Sequence, residues 1–485
     1  MRNVRSFHRL QDSINKILLK SKSTHQELEY CLTLIKNYVE NIIQNHFLNG
    51  LLIDIPGLDD LCQLIGKRLT INEQAPILSG NGCIMYVVSQ LYTSGGHSAN
   101  VEDFIKAQPN RSHIILFTDI DNYGVNKSIK ERFQQLPVKL LVPPKNKQLI
   151  TKFQWLQEQW RLINPNKVFL FNHHHDVVAI AAAQPAMPGD LYYYHHADYL
   201  FALGKRLKHA KHLDIQPLTY SYCRHTVGLD NLYSPLTCED IDSHSQIPLR
   251  FEKSKPIHTA SSGGAAKFLQ PYSFQYIDLL PEIMKTTQGT HTHIGYLPYL
   301  YLRKLKKNLA ANSISLDRFH YIPWVKDVGK TLQERGIDLL LTSFPVGGGR
   351  TAIEAMASGT PILCHLNYRS IFLSENNLLY PDAWTWNSKE ELIEILKNKI
   401  TSESLQLHAK MARDHYVQNY HHSLLEKAIM NDFSEVPSLY SVLKINKQIL
   451  NETQLFLDLN QEWVIEKKYL KKSLRFIWQL FKPKK

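Results

Sequence analysis

Apolar positions along the 485-residue chain fall into distinct textures. Up to about residue 75 they recur at helical spacing, as in LTLIKNYVENII and LDDLCQLI, with no strong strand signal. From about residue 82, short and nearly continuous apolar runs alternate with longer amphipathic ones. CIMYVVSQL, HIILFTDI, VKLLVPP, KVFLFN and DLYYYHHA predict strands. SANVEDFIKAQ, KSIKERFQQL, KQLITKFQWLQEQWRLI and DVVAIAAAQ predict the helices between them.

Residues 231–256 are polar and proline-containing, the composition of an interdomain linker. A second alternating series follows, with strands expected in IHTASS, THIGYL, RFHYIPWV, IDLLLTSF and TPILCHL. The intervening helices are expected in AAKFLQPYSFQYIDLLPEIMK, LPYLYLRKLKK, VKDVGKTLQERG and TAIEAMASG. Strand and helix in strict alternation imply parallel sheets with crossover helices. The reading is therefore α/β: a helical segment over 1–75, Rossmann-like domains over 76–245 and 246–430, and a helical tail over 431–485. Ligands of such sheets bind at the carboxyl ends of the strands, so two domains of this kind enclose a two-substrate cleft.

The tail changes the meaning of the net charge. The chain carries a formal +12, but eight Lys or Arg and no acid lie from Lys467 onward, which leaves the body at about +4. That body demands no nucleic-acid partner. In the tail, Leu470, Leu474, Ile477, Trp478 and Phe481 share one helical face, opposite Lys468, Lys471, Lys472 and Arg475. This pattern predicts an interfacial helix on an anionic membrane surface. The N-terminus lacks a signal-type apolar core, and no run of 18 apolar residues occurs. Six cysteines, at 31, 62, 83, 223, 238 and 364, form no C-x-x-C pair and suit a reducing compartment. The expectation is a cytoplasmic protein, peripheral on the inner face of the membrane through its tail.

The most informative segment is TSFPVGGGRTAIEAMASGTPILC. A predicted strand ends, Gly347, Gly348 and Gly349 follow, and a helix starts near Thr351. Consecutive glycines let backbone N–H groups approach an anion, and the helix N-terminus adds further donors. Arg350 and Thr351 are expected to contribute side-chain donors. Glu354, one turn on, is placed to accept hydrogen bonds from ribose hydroxyls. No G-K-[ST] is present, so this is a diphosphate-plus-ribose layout rather than a Walker loop.

FPVGGGRTAIEAMASGTPI resembles the C-terminal donor motif of GT-B glycosyltransferases, in which a glutamate binds the ribose of a nucleotide sugar. The resemblance covers roughly residues 80–430. It implies a GT-B fold, no cofactor beyond a UDP-sugar co-substrate, and no catalytic metal. Retaining enzymes of family 4 carry a second glutamate eight positions earlier; that position here is Val346. The glycine-rich form with a following threonine is more similar to the inverting family 41, which includes O-GlcNAc transferase and bacterial soluble protein glycosyltransferases. In that family an upstream lysine holds the diphosphate. HTASSGGAAKF offers Gly263, Gly264 and Lys267 for this role, and the loop with Ile322, Pro323 and Trp324 is implied to read the base.

On the acceptor side, SQLYTSGGHSANVEDF is similar to the first glycine loop of GT-B enzymes, with Gly95 and Gly96 under the reacting sugar and His97 in the cleft. HHHD (His173–Asp176) and HHAD (His195–Asp198) sit at consecutive strand ends. An inverting transferase needs a general base, for which His195 or His196 is expected, oriented by Asp198. Adjacent strand residues point to opposite faces, so only one of the two can face the cleft. A metal-dependent hydrolase built on His173 to His196 is the alternative, and strand-end histidines bonded to backbone are the structural reading. His291 and His293, in HTHIGYL, are read either as donor contacts or as core residues. The acceptor can be a glycan, a lipid-linked glycan or a protein.

Overall fold

The computed structural model describes residues 2–70, 82–93, 95–145, 147–196, 198–241 and 256–434. Seven parallel strands form the first sheet: β1 (Ile84–Val88), β2 (His113–Phe117), β3 (Val138–Leu141), β4 (Lys167–Phe171), β5 (Asp190–His195), β6 (Lys211–Asp214) and β7 (Asn231–Tyr233). Their order is β3-β2-β1-β4-β5-β6-β7. The second sheet holds β8 (Ile257–Ser262), β9 (Gln288–Ile294), β10 (Phe319–Ile322), β11 (Leu339–Leu341), β12 (Ile362–His365) and β13 (Trp384–Trp386). It is also parallel, in the order β10-β9-β8-β11-β12-β13. The strand order reverses beside β1 in one sheet and beside β8 in the other. Loops leaving these strands meet at the switch point where open α/β sheets bind ligands.

All ten strands expected from apolar runs are present, but β6, β7 and β13 had no such signal. They are three or four residues long, and KHLD and NLY carry polar groups into the sheet. Asn231–Tyr233 lies inside the stretch read as linker and is instead the edge strand β7. The long helix expected from residue 265 breaks into Ala265–Phe268 and Tyr276–Thr287. Pro271 stands in the break, where its ring and missing N–H oppose continuation.

The N-terminal segment is not a separate body. Its helices Arg2–Leu18, His25–Ile43 and Leu58–Leu69 lie on one face of the first sheet. Leu28, Ile35, Val39, Leu61 and Ile65 share a core with Met85, Val87, Val168 and Leu170. Thr24 closes a capping box with Glu27 at the second of these helices. Gly66 permits a close approach to the helix Val177–Ala182, because a Cβ there would run into the Ala181 carbonyl.

At the other end, helix Ser402–Asn419 packs on helix Gly349–Ala357 of the second domain. The chain then returns to the first domain. Phe433 lies against Phe104 and Tyr192, with ring centroids 6.2 and 5.8 Å away. Asp432 accepts from Lys167 at 2.8 Å and Lys211 at 2.6 Å. Among the described residues no helix is long and apolar enough to cross a membrane. The basic amphipathic segment 467–485 lies outside the described residues.

Candidate functional site

A cleft of about 890 Å³ separates the two domains and takes lining residues from both. Its second-domain wall starts at the ends of β8 and β11. Gly263 and Gly264 follow β8, and Lys267 lies one turn into the short helix after them. Gly347 and Gly348 precede helix Gly349–Ala357, whose first N–H groups point outward unpaired by helix geometry. Lys267 Nζ donates to the Gly347 carbonyl, which joins the two loops into one cradle. Burial depresses the Lys267 pKa, opposed by the negative charges of Glu375 and Asp198. Pro323, Trp324, Thr351 and Glu354 complete this wall, and Trp324 remains about half exposed at 47%.

Glu354 does not stand free. Its Oε1 accepts from Arg350 Nε at 3.0 Å and its Oε2 from the Val328 N–H at 3.2 Å, just beyond the Pro323–Trp324 loop. Burial raises its pKa, and Arg350 counteracts the rise. Arg350 is placed differently from the sequence expectation. Its guanidinium reaches away from the glycine cradle, across the domain boundary, to the Asp103 carboxylate, to Asn100 Oδ1 at 3.2 Å and to the Thr237 carbonyl at 3.0 Å. Four acceptors in a fork geometry make it an interdomain clamp.

Sequence reading missed Glu375. The side chain is buried, yet it comes from the loop after β12 and lines the cleft. One carboxylate oxygen accepts the Gly348 N–H. A Cβ on Gly347 would occupy the space this carboxylate fills, which accounts for a glycine there beyond any need of the turn. Burial raises the Glu375 pKa, while Lys267 and the Gly348 N–H favour the ionised form. Nothing in the local sequence NYRSIFLSENN marks this glutamate, because its role depends on a loop packing back against the cradle.

The first-domain wall is made of side chains. Gly95 and Gly96 begin helix Gly96–Lys106, and His97 follows. His97 Nε2 lies 2.9 Å from the Phe171 carbonyl, which can only accept; the ring is therefore protonated on Nε2 and carries its lone pair on Nδ1. Burial lowers its pKa to about 4 and keeps it neutral. His196 lies 4.4 Å from it, centroid to centroid, and is held neutral by burial and by the surrounding histidines. Asp198 also lines the cleft; burial pushes its pKa up to about 7, and Oδ2 has no hydrogen-bond partner among the described residues.

His195 is excluded from this wall. It is fully buried on the opposite face of β5, with Nδ1 2.7 Å from Asp214 Oδ1. The strand alternation that allowed only one of the pair to face the cleft thus selects His196. No hydrogen bond joins Asp198 to His196 among the described residues, so the expected orienting role of Asp198 gives way to direct presentation in the cleft.

Asp176 of HHHD is an N-cap. Its Oδ1 accepts the Ala179 N–H at 2.9 Å, and its Oδ2 accepts from Ser89 and Thr118. His291 and His293 form a core network with Thr259 and Tyr276, at 2.8 to 3.2 Å.

The hydrolase reading required three of the HHHD and HHAD histidines around one point. Among the described residues, the groups close enough to share an ion are His195 with His212, Asp214 and Cys223, and His175 with Glu40 and Asp121. Each uses one histidine of those clusters, and none of these residues lines the cleft.

The sequence matches no known protein-family model and no curated protein. Solved structures do match the fold. The HepE protein of Anabaena, crystallised with UDP, superposes with a TM-score of 0.54 at 13% identity, over 73% of this chain and 100% of its own. A glycosyltransferase from Rickettsia africae gives 0.55 at 13% identity, over 76% of this chain and 99% of that one. Sucrose-phosphate synthase of Thermosynechococcus elongatus gives 0.52 at 11% identity, over 72% and 98%. With two parallel Rossmann-like sheets facing one cleft, and neighbours of this architecture over nearly their whole length, the chain has the GT-B fold.

Proposed function

We propose that the chain is a glycosyltransferase that binds a UDP-sugar in the second-domain half of the cleft and passes the sugar to an acceptor held against the first domain. One observation carries this reading: the Lys267–Gly347–Gly348 cradle and Glu354 converge on the same cleft as His97, His196 and Asp198. The Anabaena structures solved with UDP and with UDP-glucose support a uridine nucleotide as the donor.

In this reading the N-terminus of helix Gly349–Ala357 and Lys267 hold the diphosphate, Thr351 adds a hydroxyl, Glu354 meets the ribose, and Pro323 and Trp324 flank the base. Asp198 is the general base. A carboxylate with a pKa near 7 is matched to proton transfer at neutral pH. Its free Oδ2 takes the acceptor proton as the acceptor atom bonds to the anomeric carbon. The bond from that carbon to the phosphate oxygen breaks on the opposite face, and the leaving diphosphate keeps the electron pair. Backbone N–H groups and Lys267 stabilise the developing charge, so these residues supply the stabilisation without a catalytic metal. His97 and His196, both neutral, supply a polar wall for the sugar or acceptor.

Such a step inverts the anomeric centre. Val346 lacks the acid of family 4 enzymes, although Glu375 brings a carboxylate next to Gly347 by another route. The acceptor is a glycan, a lipid-linked glycan or a protein, consistent with cytoplasmic synthesis of cell-surface glycans at a membrane to which the basic tail attaches.

Calorimetry with UDP in the presence of a chelator tests the donor site. We expect one-site binding; no heat with UDP, GDP or dTDP would remove the nucleotide reading. Proton NMR of the first product formed from an α-linked donor is expected to show a β-anomer, and an α-anomer rejects inversion.

A further inference from the structure

We infer that His195, His212, Asp214 and Cys223 form a binding site for a single zinc-class divalent cation, behind the first-domain wall of the cleft. One ligand atom from each lies within 4.8 Å of all the others, and all four side chains are buried. His195 ends β5 and pairs in register with Asp214 of β6. His212 and Asp214 lie two apart on β6 and so share one face. Cys223 arrives from the turn after helix Pro217–Tyr222.

Separations within the group are 2.7 Å from His195 Nδ1 to Asp214 Oδ1, 3.1 Å from His212 Nε2 to the same oxygen, and 3.8 Å from Cys223 Sγ to His195 Nδ1. Metal–ligand bonds of about 2.0–2.3 Å place neighbouring tetrahedral ligands roughly 3.3–3.7 Å apart. These distances bracket that edge, and small side-chain shifts admit the ion. Two imidazoles, a carboxylate and a thiol make a mixed donor set that suits zinc and disfavours the oxygen-seeking magnesium or calcium.

The hydrogen bonds around the group argue for a cation at its centre. His212 Nδ1 lies 3.2 Å from the Lys205 carbonyl, which can only accept, so Nδ1 carries the proton. With Nδ1 the donor, Nε2 is left as the ligating atom: it lies 3.1 Å from Asp214 Oδ1 and makes no hydrogen bond. A buried ring nitrogen without a partner beside a buried carboxylate is an unfavourable arrangement that a cation bound by both relieves. Asp214 Oδ2 meanwhile accepts from Asn231 Nδ2 at 2.6 Å, which fixes the carboxylate from behind. An outer partner on the far side of both a histidine and a carboxylate is the arrangement of oriented metal ligands. The competing occupant is a proton, held as His195 Nδ1–H donating to Asp214 Oδ1 at 2.7 Å, which leaves Cys223 with only its 3.8 Å sulfur contact to His195. A metal ion takes Cys223 as thiolate, and the two anionic ligands then neutralise it. Lys205, whose ammonium donates to the Ile53 carbonyl at 2.6 Å, is the nearby positive charge the thiolate also offsets.

The ion positions the cleft wall and touches no reacting atom. His196 follows ligand His195 directly and Asp198 by three residues, and Gln216, which also lines the cleft, follows Asp214 by two. A staple across β5, β6 and the Cys223 turn thus holds three cleft-lining residues. His195 was not grouped with these residues from the sequence. Its partners here lie 19 and 28 residues further on, and β6 had no signal in the sequence.

Elemental analysis of full-length protein, purified without metal resin, tests the site. We expect about one zinc per chain, since a buried site of this kind is filled on folding. Cys223→Ser and His212→Ala should lose most of it, and His175→Ala, in the other histidine–carboxylate group, should keep it. Should the variants fail to fold, wild type alone decides. Stripping with a chelator should lower Tm, and Zn²⁺ but not Mg²⁺ should restore it. Co²⁺ added to stripped protein should give a thiolate-to-cobalt charge-transfer band. Folded protein with below roughly a tenth of an equivalent of metal, and no Tm response to Zn²⁺, overturns the proposal in favour of a proton-filled His–Asp–His chain.

Discussion

On the second-domain side of the cleft, the groups aimed at a ligand are mostly backbone N–H groups and one lysine, delivered by the glycine loops after β8 and β11. On the first-domain side they are side chains, His97, His196 and Asp198, delivered from the ends of β1 and β5. A backbone-built wall is pre-organised by its turns and tolerates side-chain change as long as the glycines remain. A side-chain wall depends on which face of a strand each residue takes and on how deeply it is buried. The first is suited to holding a constant group such as a diphosphate, the second to proton transfer, where a pKa must be set by burial. The difference predicts that substitutions on the first-domain wall act on turnover and those on the second-domain wall on donor affinity.

Asp198→Asn is the largest expected effect. It should lower kcat/KM by about 10²–10⁴-fold, the usual worth of a general base, and leave the Kd for UDP unchanged. In wild type the active form is the carboxylate, so kcat/KM should rise with pH through about 7. The stability consequence has the opposite sign. A carboxyl whose folded pKa is raised from 3.8 to about 7 favours the folded state at low pH and loses that contribution as pH rises through the folded pKa. Asp198→Asn should therefore flatten the fall in Tm between these values. A pH–rate profile with no acid limb near 7 would move the base elsewhere, to His196 first.

Lys267→Ala comes next. Removing a charge-assisted contact to the diphosphate should cost about 1.5–3 kcal/mol, roughly ten- to a hundredfold in Kd for UDP. Uridine should bind variant and wild type alike. Equal losses for uridine and UDP would show that the cradle has collapsed rather than lost a phosphate contact.

The same contrast explains what the sequence made legible. The parallel α/β architecture, ten of thirteen strands and the Gly347–Gly349 loop were readable because apolar runs and consecutive glycines are local signals. His195 against His196 was not, since strand alternation says that one faces the cleft without saying which. Arg350 was read as a phosphate donor because it neighbours the glycines; its actual partners, Asp103, Asn100 and Thr237, lie in the other domain. β6, β7 and β13 were too short for periodicity to register. Glu375 had no local signature at all, because a long-range packing contact creates its environment.

Glu354→Ala should act more weakly than a free ribose acceptor would. Arg350 and the Val328 N–H already take one hydrogen bond at each of its oxygens. The net loss is expected near the lower end for a charge-assisted bond, about 1–1.5 kcal/mol, or five- to tenfold in Kd. The decisive readout is discrimination. Wild type should prefer UDP to its 2′- or 3′-deoxy analogue, and Glu354→Ala should bind them equally. A variant that still discriminates takes Glu354 off the ribose.

Glu375→Gln is the smallest effect and the one that most directly probes how the two walls differ. Without donor, the Glu375 carboxylate occupies the place where a diphosphate is expected: it accepts the Gly348 N–H and lies within the field of Lys267. A negative charge at a helix N-terminus contributes about 0.3–1 kcal/mol to the folded protein. The same charge opposes a second anion arriving at the same donors. Glu375→Gln should thus lower the Tm of the free protein slightly while tightening UDP binding by about two- to fivefold. Uridine, which brings no phosphate, should bind both forms equally. Weaker UDP binding in the variant would instead make Glu375 a direct contact of the donor. The second-domain wall would then hold the donor with a further side chain beyond Lys267, Thr351 and Glu354, and the contrast between the two walls would narrow to the histidines and Asp198.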